Sequence, residues 1–163
     1  MTDKPSVDVT KVTGRRELRY ESFDELLADA EQQAGAETVA LGNWSKGQIF
    51  RHLAMAIDTM IDGPPFKLWA PLRWLLAFFL KKRMMARTLD PGFKLPKSAS
   101  AFLPPETSAE EGLELLRKAI ERIKGTDDRA MHGGLGYLTK EEWDAFQLRH
   151  CEMHMSFIVP KSN

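Results

Sequence analysis

A single cysteine, Cys151, rules out an internal disulfide, so folding does not call for an oxidising compartment. Charge of either sign in excess is missing as well. Lysine plus arginine and aspartate plus glutamate each number 23. A chain with no basic surplus is poorly equipped to neutralise phosphates, which argues against nucleic acid as a partner. Long uninterrupted hydrophobic runs are also absent. The most apolar stretch, Phe66–Leu80 (FKLWAPLRWLLAFFL), is interrupted by Lys67, Pro71 and Arg73. A membrane-spanning helix needs about 20 apolar residues, so no transmembrane segment is expected. Met1-Thr2-Asp3-Lys4-Pro5 has none of the apolar character of a signal peptide, and cytoplasm is the expected location. There is no internal repeat, low-complexity tract or dividing linker. With 43% hydrophobic and 28% charged residues, the 163-residue chain is expected to form one globular domain.

What the sequence does contain is helix punctuation. A Ser or Thr N-cap accepts a bond from the N3 amide, while Glu or Gln at N3 reaches back to the cap. Ser22-Phe23-Asp24-Glu25 opens one such segment, running to about Gly35, and Ser45-Lys46-Gly47-Gln48 opens a second, ending at Gly63. Ser108-Ala109-Glu110-Glu111 opens a third, closed near Gly125. Thr139-Lys140-Glu141-Glu142 opens the last, which Pro160 must stop because it lacks an amide hydrogen. Apolar residues recur at helical spacing behind each signal. Ile49, Leu53, Ala56, Ile57 and Met60 mark the second stripe, and Leu113, Leu116, Ala119, Ile120 and Ile123 the third. Trp143, Phe146, His150, Phe157 and Ile158 mark the last.

An additional helix is expected from Phe66 to about Thr88, with Pro71 in its first turn. The favoured reading packs it on the bundle or at a homodimer seam. Interfacial docking by Trp69, Trp74, Phe78 and Phe79 beside the basic Lys81-Lys82-Arg83 is the alternative. The proline-rich stretch from Asp90 to Pro105 reads as a long ordered loop. Residues 1–20 read as a mobile start followed by an extended piece, Leu18-Arg19-Tyr20.

Four histidines remain to be placed. His150 and His154 are four apart, so they project from the same side of the last helix, one turn from each other. His52 shares the inner face of the second helix with Leu53 and Ala56. Bundle neighbours bring such faces to about 8–10 Å between axes, within reach of one shared cation. Three imidazoles would leave a coordination position open, as in a catalytic metal site. Spacing alone keeps a second reading in play, in which the three are hydrogen-bonded core residues. Because imidazole binds metal only when neutral, and its reference pKa is about 6.5, ion binding is expected to fade toward pH 5.

His132, in Met131-His132-Gly133-Gly134-Leu135-Gly136, is a candidate pocket residue or proton donor, with a solvent-facing loop position favoured. Those glycines do not make a phosphate loop, since the Walker lysine pattern is absent. Gln48, one turn before His52, is a candidate pocket residue whose capping role already explains it. Glu152 and Asp58 are candidates for a base or a supporting partner, most helix charges being merely solvated. Cys151 lies about 100° around the helix from His150 and reads as a packed thiol.

The segment Asn43-Trp44-Ser45-Lys46-Gly47-Gln48-Ile49-Phe50-Arg51-His52-Leu53-Ala54 resembles the second helix of the DinB-like (YfiT-type) metalloenzyme superfamily. Gly136-Tyr137-Leu138-Thr139-Lys140-Glu141-Glu142-Trp143, continuing to His150-Cys151-Glu152-Met153-His154, resembles its last helix. The likeness runs from about Phe23 to Ile158 and is strongest to an uncharacterised, domain-of-unknown-function branch. The resemblance implies an all-α fold: a four-helix bundle with the additional apolar helix between the second and third bundle helices. It also implies one divalent transition metal ion (nickel, zinc or iron) on His52, His150 and His154. Members with known activity include metal-dependent thiol S-transferases and a thiol-dependent isomerase. The implied function is therefore a metal-dependent transferase or hydrolase acting on a small molecule, with a low-molecular-weight thiol as the candidate. The sequence departs from the branch in two places: Met153 stands where a further histidine is common, and Met155-Ser156-Phe157 replaces the usual glutamine after the last ligand. These departures support the alternative of a non-catalytic binding or interaction module on the same fold.

Overall fold

The computed structural model describes residues 6–92 and 102–161. Five helices are present among them: α1 (Phe23–Gly35), α2 (Lys46–Asp62), α3 (Ala70–Ala86), α4 (Ala109–Lys124) and α5 (Lys140–Met155). Helices α1, α2, α4 and α5 make up the expected bundle, and α3 is inserted between its second and third members. A short 3-10 turn at Val9–Lys11 and two strands, β1 (Thr38–Ala40) and β2 (Ile158–Pro160), complete the fold.

All four capped helices begin where their signals lie. The cap hydroxyls of Ser22, Ser45, Ser108 and Thr139 each accept a bond from the N3 amide. The reciprocal half of the box forms only in α2 and α5, through Gln48 and Glu142. Glu25 instead accepts from the Glu21 amide, one residue before the cap. The apolar stripes meet as expected. Leu26, Phe50, Leu53, Ile57, Leu116, Ile120 and Met155 are completely or almost completely excluded from solvent.

Helices α2 and α4 approach most closely at their first turns. A Cβ on Gly47 would lie 2.2 Å from the Thr107 carbonyl oxygen, and one on Gly112 would lie 2.4 Å from the Gly47 carbonyl oxygen. Two glycines facing each other let the backbones touch there, and that contact sets the depth at which His52 enters the core one turn and a half later.

Two expectations need correction. First, α5 stops at Met155 rather than running to Pro160, so Phe157 and Ile158 are not on its stripe. They are buried all the same, because β2 pairs antiparallel with β1 (Val39 opposite Val159), and Leu41 N–H donates to the Phe157 carbonyl at 3.0 Å. Pairing with a distant strand outweighs continuation of the helix. Second, α3 begins at Ala70, not Phe66. Its cap, Trp69, makes no side-chain bond, and Pro71 sits in the first turn, where a fixed φ and a missing N–H are tolerated. The preceding residues are drawn off by a bond from Leu68 N–H to the Gly133 carbonyl, at 2.9 Å. Helix α3 does rest on the bundle, but not through its aromatic side. Leu76, Met84 and Met85 pack against the core and Lys81 pairs with Glu142 at 2.5 Å, yet Trp69, Trp74, Phe78 and Phe79 stay 67–76% exposed.

The extended piece ending at Tyr20 lies along α5. Glu152 accepts from the Tyr20 amide at 2.8 Å, and Arg149 donates to the Tyr20 carbonyl. The expected mobile start falls partly outside the described residues (1–5), as does most of the expected Asp90–Pro105 loop (93–101). No helix is long and apolar enough to cross a membrane among the described residues.

Candidate metal centre

His52, His150 and His154 come together between α2 and α5. One ring nitrogen of each lies within 4.8 Å of the others. His150 Nε2 is the hinge of the group, 3.0 Å from His154 Nε2 and 3.4 Å from His52 Nε2. The i,i+4 spacing puts the first pair on one side of α5, and the inner stripe of α2 supplies the third member. For comparison, nitrogens bound at about 2.0–2.1 Å around a tetrahedral ion lie about 3.4 Å apart. The two separations at His150 lie within about 0.4 Å of that edge, and the third stays within 4.8 Å. Among the described residues no carboxylate touches these nitrogens.

Hydrogen bonds determine which nitrogen is free. The Phe102 carbonyl, 3.0 Å from His52 Nδ1, can only accept, so Nδ1 carries the hydrogen and Nε2 presents a lone pair. Gln147 Nε2 lies 3.2 Å from His150 Nδ1. With the amide donating, His150 carries its hydrogen on Nε2, between the lone pairs of its two neighbours. A half-turn of the Gln147 amide offers Oε1 instead, moves that hydrogen to Nδ1 and exposes a third lone pair. Trp44 covers the cluster, stacked on His154 at 5.3 Å between ring centroids and tilted against His52 at 4.7 Å.

Burial keeps all three imidazoles neutral. Desolvation lowers the pKa of His52 to about 4 against the opposing pull of the Phe102 carbonyl. It lowers His150 to about 3, with a further decrease from the neighbouring His52, and it holds His154 well below the ordinary histidine value, with further decreases from His150 and His52. Burial therefore moves proton competition at this centre to lower pH than the reference value of 6.5 implies.

The remaining candidates are placed elsewhere. His132 is not a solvent-facing loop residue. Its ring packs on Trp143 and Phe146, and its Nδ1 accepts from the Gly134 and Leu135 amides at 3.0 and 2.9 Å. The tight Gly133–Gly136 turn folds the ring inward, and burial lowers its pKa to about 4. Gln48 completes the α2 capping box and donates to the Pro104 carbonyl at 3.2 Å. Glu152 is fully buried and engaged by Arg149, Tyr20 and Thr88, which makes it an anchor for the extended segment. Asp58 pairs with Arg122 at 2.8 Å. Cys151 is buried with its thiol pKa pushed up by desolvation, as a packed thiol should be.

Three contributors escaped sequence reasoning. Gln147 had a readable signal, since it precedes His150 by three residues and so shares its face. Trp44 sits immediately before the α2 cap, a position that suggests a staple rather than a cover. The Phe102 carbonyl is backbone and leaves no trace in side-chain patterning.

A family model described as "Protein of unknown function (DUF1569)" matches residues 12–161. No curated protein and no solved structure matches the chain.

Proposed function

We propose that this chain, which belongs to the DUF1569 family, is a metal-dependent enzyme of thiol S-transferase or hydrolase type whose ion is held by His52, His150 and His154. The observation that carries the reading is the convergence of three neutral, desolvated imidazole nitrogens at 3.0 and 3.4 Å. The resemblance to the DinB-like superfamily supports it independently, with nickel, zinc or iron as the candidate ion and a low-molecular-weight thiol as the candidate substrate. A divalent ion in an all-imidazole site keeps its full charge, which favours an anionic ligand and lowers the pKa of a bound thiol or water. The chain's own contribution is orientation. Phe102 and Gln147 direct the ring nitrogens, and Trp44 keeps water from one side of the cluster.

Metal analysis of protein purified without a histidine tag tests the site. About one equivalent is expected after supply of nickel, zinc and iron, and less than about a tenth would refute it. Replacing His154 by Ala should abolish both ion content and activity. A second reading, a non-catalytic interaction module, is favoured by the exposed aromatic side of α3. Unchanged activity and ion content in His154→Ala would leave only that reading standing.

A further inference from the structure

In a chain whose charges balance overall, Phe66–Thr88 contains six lysines and arginines and no aspartate or glutamate. The same segment carries the largest concentration of exposed aromatic surface. Trp69, Trp74, Phe78 and Phe79 are 76, 70, 72 and 67% exposed, and Leu72 and Leu75 lie open beside them. Trp74, Phe78 and Phe79 lie within α3, and Trp69 is its N-cap. Each is of a type that brings roughly 150–250 Å² into contact when covered. The patch therefore exceeds what a protein ordinarily leaves to water.

The arrangement says what covers it. At about 100° per residue, Trp74, Phe78, Leu75, Phe79 and Leu72 spread over an arc of about 160°. A packed partner helix covers a stripe of about 100°, whereas a fluid apolar phase wets the whole arc. Charge points the same way. Lys81 and Arg83 have acidic partners, but Lys67, Arg73, Lys82 and Arg87 have none among the described residues. A second copy would bring the same cations and no carboxylate from this helix. A surface of anionic headgroups would neutralise them. Lys82 follows Phe78 by one helical turn, so its stem can lie with the rings while its ammonium stays at headgroup level.

We propose that α3 docks on an anionic lipid bilayer, its aromatic arc among the upper acyl chains and its unpaired cations against lipid phosphates. The inner stripe stays on the bundle through Leu76, Met84, Met85 and the Lys81–Glu142 pair. The docking therefore needs no unfolding and no crossing of the membrane. It goes beyond the proposed metal chemistry and does not depend on it.

The test is co-sedimentation of the full-length protein with phosphatidylcholine vesicles, with and without about a third phosphatidylglycerol. Binding to the anionic vesicles should be at least about tenfold tighter than to the neutral ones, and each of Lys82→Gln and Arg87→Gln should weaken it about fivefold. Trp74→Ser combined with Phe78→Ser should reduce it more than about tenfold. Tryptophan emission of the unaltered protein should be quenched by brominated lipid, and His154→Ala should bind vesicles like the parent. Equal binding to both vesicle types, unquenched emission, or a homodimer with no vesicle binding would each overturn the proposal.

Discussion

Acidifying the metal-free protein from about pH 7 to about pH 4.5 is expected to remove most of its stability. The four histidines are the reason. Burial holds His52 and His132 at about 4 and His150 at about 3, and His154 is lowered in the same direction. In the unfolded chain each titrates near 6.5. Between those values the unfolded state binds more protons than the folded one, so stability is complete above about pH 6.5 and falls as pH drops toward the folded values. At about pH 4.5 a group shifted from 6.5 to about 4 costs roughly 2–3 kcal/mol. His52, His132 and His150 together reach about 8 kcal/mol before any discount for partial exposure, comparable to the whole stability of an ordinary domain. The depressed carboxylates add little in this window, Glu141 and Glu142 beginning to lose their contribution only at its lower edge, near their ordinary value of 4.5. Asp29, held down by Arg16 and Tyr20 against its burial, loses its contribution only as pH falls below 3.8, its ordinary value. The assay is urea unfolding of chelator-treated protein at half-unit intervals of pH. His132→Asn, which keeps an acceptor for the Gly134 and Leu135 amides, should remove about a quarter of the slope. A midpoint that stays constant from about pH 7 to about 4.5, or a slope indifferent to His132→Asn, would refute the burial argument.

Added metal should stabilise the protein at neutral pH by about 2.7 kcal/mol at a hundredfold excess over Kd, and a melting series should show that shift lost in His154→Ala. Gln147→Leu leaves His150 Nδ1 without its partner, so titration with a competing chelator should show affinity lower by about 10–100-fold while the fold persists. Gly112→Ala would drive a methyl to 2.4 Å from the Gly47 carbonyl. Chemical denaturation should report a loss of about 1–3 kcal/mol or more, with backbone rather than side chain having to yield. Glu152→Ala would strand the buried Arg149 guanidinium and free the Tyr20 segment; a loss of about 3–5 kcal/mol is expected, with enhanced proteolysis near Tyr20.

Much of the architecture was legible because helices are closed by local bonds. The cap at Ser45 and the stripe from Ile49 to Met60 announce α2 with no reference to the rest of the chain, and the same holds for α4. The four-residue spacing of His150 and His154 likewise needs only the pitch of one helix. What tertiary structure alone decided depends on contacts between distant residues. His52 meets His150 across 98 positions of sequence because paired glycines let α2 approach α4 closely and the bundle brings α2 to α5. The end of α5 yielded to pairing with β1, whose Ala40 stands 118 residues before its partner Ile158 and whose own three residues carry no strong signal. Glu152 and His132 looked like site candidates and surface residues by type. Which way each side chain turned was settled by a buried arginine in one case and a glycine turn in the other. The exposure of α3 is the clearest example: its composition permits a core helix, an oligomer seam or an interfacial helix, and only its packing on α5 showed which side was left without a neighbour.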